Sequence, residues 1–331
     1  MHIKQSIFGR VLAAAITLSI AAFTLAGCTT PSPKAVAVAS HDSFIIPDEL
    51  INKFKTDTGF YLEGGAKLGD TGELTNKLVL TKDAPVADVV FGIDNTFAGV
   101  AEANGIIDGE LVPIDFADVC FNYDKKWFAT EGITPPTSWR DLTDAKYAGL
   151  TVVENPTTSS TGLSFLFASI GALGEDGWQN WWKAMKTNGI KVAAGWEDAY
   201  YVDFSGSSGH GQYPIVLSYS SSPADEIDDD GLSRTASINS ECFRQVEYAG
   251  VLKGSKNPAG ARAFIDFMLT KDFQEAMPGA NYVYPIDKTV PLPENWAKLA
   301  PASTSFVDVS NLDFDANRSR WQKEWSAIFT G

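Results

Sequence analysis

The sequence predicts an α/β fold in two lobes, each a mostly parallel sheet flanked by helices. Three observations carry that expectation. Short apolar strand patterns alternate with helical ones, as when helices pack on a parallel sheet. The alternation breaks off and restarts near residue 150. Beyond an apolar leader about 300 residues remain, large for one core and suited to two.

The leader occupies residues 1–27. Lys4 and Arg10 supply a positive start, residues 11–26 (VLAAAITLSIAAFTLA) an apolar run, and LAGC ends at Cys28. This order reads as an export signal. A Cys directly after Leu-Ala-Gly resembles a bacterial lipobox, which implies cleavage before Cys28, acylation of its sulfur and a membrane anchor. Residues 28–35 form a tether. AVAVAS (35–40) alternates like a strand. DELINKFKTDTG comes next, with Leu50, Ile51 and Phe54 at helical spacing and Gly59 as a stop. TGELTNKLVL (71–80) predicts a second helix, VADVVFGI (86–93) a buried parallel strand, and FAGVAEANG a short helix closed by Gly105.

The pattern restarts with the strand LTVVENP (150–156) and the apolar helix LSFLFASIGALG. Trp178, Trp181, Trp182 and Met185 then stand at i, i+3, i+4 and i+7, a core-facing stripe. YPIVLSY (213–219) predicts another buried strand. Asn257 and Pro258 open a helix over NPAGARAFIDFMLT, Thr270 caps DFQEAM, and NRSRWQKEWSAIF aligns Trp321, Trp325 and Ile328. The expected division is lobe 1 at 36–120, lobe 2 at 121–242, a return to lobe 1 at 243–290, and a C-terminal segment at 291–331 packing on lobe 2.

Charge and chemistry narrow the function. The formal net charge of −15 argues against nucleic acid, which needs clustered Lys and Arg, and permits a cationic ligand. After the leader two cysteines remain, Cys120 and Cys242; the export context allows a disulfide, and two buried thiols are the alternative. His41 and His210 are isolated, so no His-rich metal site is expected. No GxSxG elbow, phosphate-binding P-loop, HExxH or EF-hand spacing occurs. We expect a binding protein and not an enzyme, with no cofactor.

In open α/β sheets, ligands sit beyond the carboxyl ends of the strands. Those loops are HDSF (41–44), DNT (94–96), NPTTSSTG (155–162) and SSSPADE (220–226), so His41, Asp94, Asn95 and Asp225 are candidates. In NPTTSSTG, Ser159, Ser160, Thr161 and Gly162 lie at a helix start, which suits a phosphate or carboxylate; simple N-capping weighs equally. In AAGWEDAYYVDF (193–204), Trp196 and Tyr200 share a helical face. Periodicity leaves core and pocket open for both, and favours core for Tyr201 and Phe204.

ADVVFGIDN, NPTTSSTGLSFL, GWEDAY, VLSYSSSPA, QEAMPGANYVYP and the closing RWQKEW, in this order, resemble the bacterial thiamine-binding periplasmic proteins. The resemblance implies a type II two-lobed periplasmic-binding fold. It implies an extracytoplasmic receptor that closes on thiamine, a thiamine phosphate or a related compound, then delivers it as a monomer to an ABC transporter permease. It assigns ligand contact to Asp70 in GDTG, Ser159 and its neighbouring hydroxyls, Trp196, Tyr219, and Asn281 with Tyr282, the last standing where the family has Trp. Tyr200 joins Trp196. His41 replaces a family Tyr, FIIPDEL lacks a family Trp, and Asp225 replaces a second pocket Tyr. Ferric-ion receptors of the same fold use two adjacent tyrosines where this chain reads Tyr219-Ser220. A ferric-ion or other organic-cation receptor is the alternative.

Overall fold

The computed structural model describes residues 34–330. The leader, Cys28 and most of the tether lie outside the described residues. β1 (Ala35–Ser40) leads to α1 (Asp48–Thr58), which Gly59 ends in the left-handed region at φ 74°. β2 (Tyr61–Lys67), α2 (Thr71–Leu80), β3 (Val89–Asp94) and α3 (Ala98–Ala103) come next. β1, β2 and β3 run parallel, with β1 central. Later in the chain, β5 (Thr151–Glu154), α5 (Ser160–Leu173), α6 (Trp178–Thr187), β6 (Lys191–Ala193) and β7 (Ile215–Tyr219) form a second parallel group with β5 central.

The chain also carries the short helices α4 (Lys125–Glu131) and α9 (Trp296–Leu299), and two long strands tie the groups together. β4 (Val112–Asp124) and β8 (Thr235–Val251) are antiparallel to each other along their length, and the sheet order is β2-β1-β3-β8-β4-β7-β5-β6. The C-terminal part of β8 also pairs β3, while the C-terminal part of β4 pairs β7. The parallel pattern therefore holds within each group of three. The crossing strands add antiparallel ladders that strand–helix alternation does not reveal. Their register slips between Val119 and Phe121, where Cys120 is disulfide-bonded to Cys242. The closed loop is long, the two cysteines standing 122 positions apart, so the bond removes much freedom from the unfolded chain.

One core belongs to the first group alone, and a larger one runs from that group's other face into the second. The first packs Phe54, Phe91, Phe264 and Phe267 between β1, β3 and the helices α1 and α7 (Pro258–Met268). Asn257 caps α7, accepting the Gly260 N–H at 2.9 Å, as its position predicts. Thr270 does not cap α8 (Lys271–Asn281) with its side chain; its hydroxyl donates to the Phe267 carbonyl instead. The second core holds the α6 stripe, all four residues buried, against Trp139, Phe165 and Trp325 of α10 (Phe314–Thr330).

Candidate functional site

A cavity of about 300 Å³ opens where the carboxyl ends of both strand groups meet. Its wall combines the loop after β1, the start of α2, the start of α5, residues 194–201, the turn after β7, β8 and the end of α8. Of the expected residues, His41, Asp70, Ser160, Thr161, Trp196, Tyr200, Tyr219, Asp225, Asn281 and Tyr282 line it.

Asp70 joins the two sides. As the N-cap of α2 it accepts the Thr71 N–H at 2.7 Å through Oδ1. The same oxygen accepts the Ser160 N–H at 3.2 Å, and Oδ2 accepts the Trp196 N–H at 3.1 Å. Burial pushes its pKa up, and the N–H donors only partly oppose this, leaving it above the ordinary carboxylate value.

The aromatic wall grows from one irregular turn. Residues Asp198–Asp203 wind as a π-helix, frequent at functional sites, which keeps Trp196 and Tyr200 stacked at 5.0 Å and 12°. Tyr201 meets Trp196 edge-on at 5.3 Å, and Tyr219 lies tilted at 6.0 Å. Trp196 Nε1 donates to Ser218 Oγ at 2.9 Å, fixing the indole. Tyr219 and Thr161 hydroxyls are 2.8 Å apart. Tyr201 lines the cavity, against the expectation of core; Phe204 is wholly buried, as expected. A regular helical period does not separate these two, because the π-turn rotates the face.

Acids share the cavity wall with these rings. His41 Nε2 faces Glu247 Oε1 at 3.4 Å. Burial pulls the imidazolium down, but Glu247 outweighs it, and the His41 pKa ends above its ordinary value. Gly92 makes room for this ring: its φ is 98°, and a Cβ there would collide with His41 Cδ2. Glu247 sits in one transverse row with Asp94 on β3 and Asp115 on β4. Burial, then the Glu247 charge, holds Asp115 well above its ordinary value. Asn281 fixes the loop after β1 through paired bonds to Ile45, 2.8 Å from its N–H and 2.9 Å to its carbonyl.

Four expected residues stand behind the wall. Asp94 is fully buried, accepting from Thr96 and from Gln245 Nε2, and burial raises its pKa to about 6. Asn95 pairs with the backbone of Arg244 and Val246. Ser159 is buried as the N-cap position of α5, and Gly162 lies against Glu154, whose carbonyl a Cβ would approach to 2.5 Å. Residues missed by sequence reasoning are Asp42, Glu73, Glu197, Asp198, Gln245 and Glu247. The last two alternate along β8, a strand that the patterning did not mark. Seven carboxylates (Asp42, Asp70, Glu73, Glu197, Asp198, Asp225, Glu247) line the cavity, and among the described residues lining it there is no Lys or Arg. Aromatic faces beside carboxylates suit a flat organic cation.

The chain matches the family described as bacterial extracellular solute-binding protein over residues 92–306. It is 30% identical over 323 residues to the thiamine-binding periplasmic protein of Escherichia coli K12, covering 90% of this chain and 95% of that one. Among solved structures it is similar to a periplasmic thiamin binding protein, with TM-score 0.78 and 28% identity over 90% of this chain and 96% of that chain. A ferric binding protein from Campylobacter jejuni shares the fold at TM-score 0.69 and 18% identity, over 88% and 99% of the two chains. The fold is thus the two-lobed periplasmic-binding type that the sequence led us to expect.

Proposed function

The chain belongs to the family of bacterial extracellular solute-binding proteins, and from that premise we propose that it is the thiamine receptor of an ABC importer. One observation carries the reading: a stacked Trp196–Tyr200 pair with Tyr201 and Tyr219 borders a cavity whose charged residues are acidic but for His41. The thiazolium of thiamine carries a permanent positive charge, which aromatic faces and carboxylates attract by about 0.5–2 kcal/mol per cation–π contact. Its pyrimidine is flat and can stack.

In this reading Asp70, Ser160, Thr161, Trp196, Tyr200, Tyr219, Asp225 and Tyr282 contact ligand, with His41 and Asn281 shaping the β1 loop. Asp94, Asn95, Ser159 and Gly162 support the wall from behind. The lobes divide at Cys120 and Cys242, where β4 and β8 cross; they close on ligand by a hinge motion and present it to the permease. The leader is removed before Cys28, and an acyl chain on that Cys tethers a monomer outside the membrane. The protein binds and releases without chemical turnover.

The test is a melting titration of the mature protein with thiamine, its phosphates, the isolated pyrimidine and Fe³⁺. A ligand at 100 times its Kd stabilises by about 2.7 kcal/mol. No shift with any thiamine compound would sink the reading, and a response to Fe³⁺ alone would replace it with the ferric-ion alternative.

A further inference from the structure

Glu247 lines the cavity from β8, with Asp94 of β3 and Asp115 of β4 opposite it on the two neighbouring strands. Residues paired in this way share a face, with Cβ atoms about 5 Å apart. Asp94 accepts from Thr96 and Gln245, and Asp115 has no hydrogen-bond donor among the described residues. The cation facing Glu247 is His41, whose Nε2 lies 3.4 Å from Oε1. Its ring is held in place. Nδ1 lies 2.9 Å from Ser43 Oγ, Phe91 packs at 5.7 Å, and Gly92 leaves the space the ring fills. Each ring nitrogen thus faces an oxygen, as an imidazolium requires. Other cations nearby are committed: Lys67 donates to the carbonyls of His41 and Phe44, and Arg244 pairs with Asp118. Two residues before Glu247, Gln245 is 2% exposed and lines the same cavity. Its Nε2 donates to Asp94 and Ser160, which leaves Oε1 without a partner. Residues two apart on a strand share a face, so Gln245 and Glu247 present acceptors to one space.

We propose that Glu247 is the subsite for the ligand's positive charge and that the His41 imidazolium is its resting occupant, which gives up its proton when the cation binds. The inference rests on the thiamine reading and assigns that ligand's charge a place. Burial works against the imidazolium, and Glu247 outweighs it; Asp70 at the start of α2 also favours the charged ring, and Lys67 at the end of β2 opposes it. A thiazolium beside Glu247 adds a like charge to His41 and weakens its hold on the proton. One cation enters and up to one proton leaves to solvent. By linkage, affinity then rises with pH across the range in which free His41 is charged.

Isothermal titration of the mature chain with thiamine, in two buffers of different ionisation enthalpy near neutral pH, counts the protons. The expected result is release of about 0.3–1 proton per thiamine, with Kd tightening by up to about tenfold per pH unit between about pH 6 and 8. No release, or uptake, overturns the inference while leaving the thiamine reading intact; failure of thiamine to bind overturns the reading itself. His41→Gln should release less than half as many protons, and an unchanged count removes the role given to His41. Glu247→Gln should weaken thiamine by about tenfold or more, as the loss of a charged partner does, and an unchanged Kd removes the subsite. Should neither variant fold, NMR titration of the unaltered mature chain serves, since His41 and His210 are its two histidines. A lower His41 pKa in the thiamine complex supports the exchange; an equal or higher one overturns it.

Discussion

Two aromatic clusters in this molecule have nearly the same ring-to-ring distances and different consequences. In the core, Trp182 meets Trp181 at 5.1 Å, and Phe165 and Trp325 at 5.6 Å. In the cleft, Trp196 meets Tyr200 at 5.0 Å and Tyr201 at 5.3 Å. The two central indoles both donate to a serine hydroxyl, Trp182 to Ser169 and Trp196 to Ser218. The surroundings differ. Trp182 is wholly buried and closed in by α5, α6 and α10, whereas Trp196 is half-buried and borders a cavity ringed with carboxylates. Ring-to-ring contact therefore says little about role; what lies on the far side of the ring decides it.

The largest expected effect breaks the core. Trp182→Ala should cost about 3–5 kcal/mol of unfolding free energy in a urea titration, while the folded fraction keeps its thiamine Kd. A matching loss of affinity would mean that the two clusters are coupled. The next effect is electrostatic and belongs to the cleft side alone. Asp94 in the folded chain holds its proton up to about pH 6, against about 3.9 unfolded. A raised carboxylate pKa means that stability is greatest below the unfolded value and falls as pH rises through the folded one. The full difference is roughly 3 kcal/mol at neutral pH. Asp94→Asn should therefore gain in Tm relative to the unaltered chain between pH 4 and 7, and parallel Tm profiles would remove this account. The loss in Trp182→Ala should be flat over the same range.

Smaller effects test the cleft itself. Trp196→Ala should weaken thiamine by about 2- to 30-fold, which is the span of one cation–π contact. Its stability loss should fall below that of Trp182→Ala; the reverse order would make Trp196 a core residue. Tyr201→Phe should change stability by no more than about 0.5 kcal/mol. If Kd holds, the ring face carries the contact; a tenfold loss would assign it to the hydroxyl.

Much of this was legible from the residues. The Trp178, Trp181, Trp182, Met185 stripe and the Asn257–Pro258 start arise from helical period and capping chemistry, which are local. The three-strand groups arise from strand–helix alternation. β4 and β8 were not legible, because long strands paired along both edges carry mixed burial patterns with no single period. Gln245 and Glu247 were lost with β8. The position of Asp94 and Asn95 at the end of a strand points to the cavity, yet their side chains turn inward to Thr96, Gln245 and the β8 backbone. Tyr201 lines the cavity because residues 198–203 form a π-turn, which no regular helical period anticipates.

By itself the sequence determined that this chain folds as alternating strands and helices, which tryptophans form a core, and that its ligand loops are polar and acidic. Each of these depends on neighbours a few residues away. Only the tertiary structure decided that Asp70 would meet Ser160 and Trp196, 90 and 126 residues distant, and that His41 would face Glu247 across β3 and β8. Charges and donors far apart in sequence interact only after chain entropy has been overcome by the packing of both lobes. The electrostatics of the cleft are therefore a property of the fold.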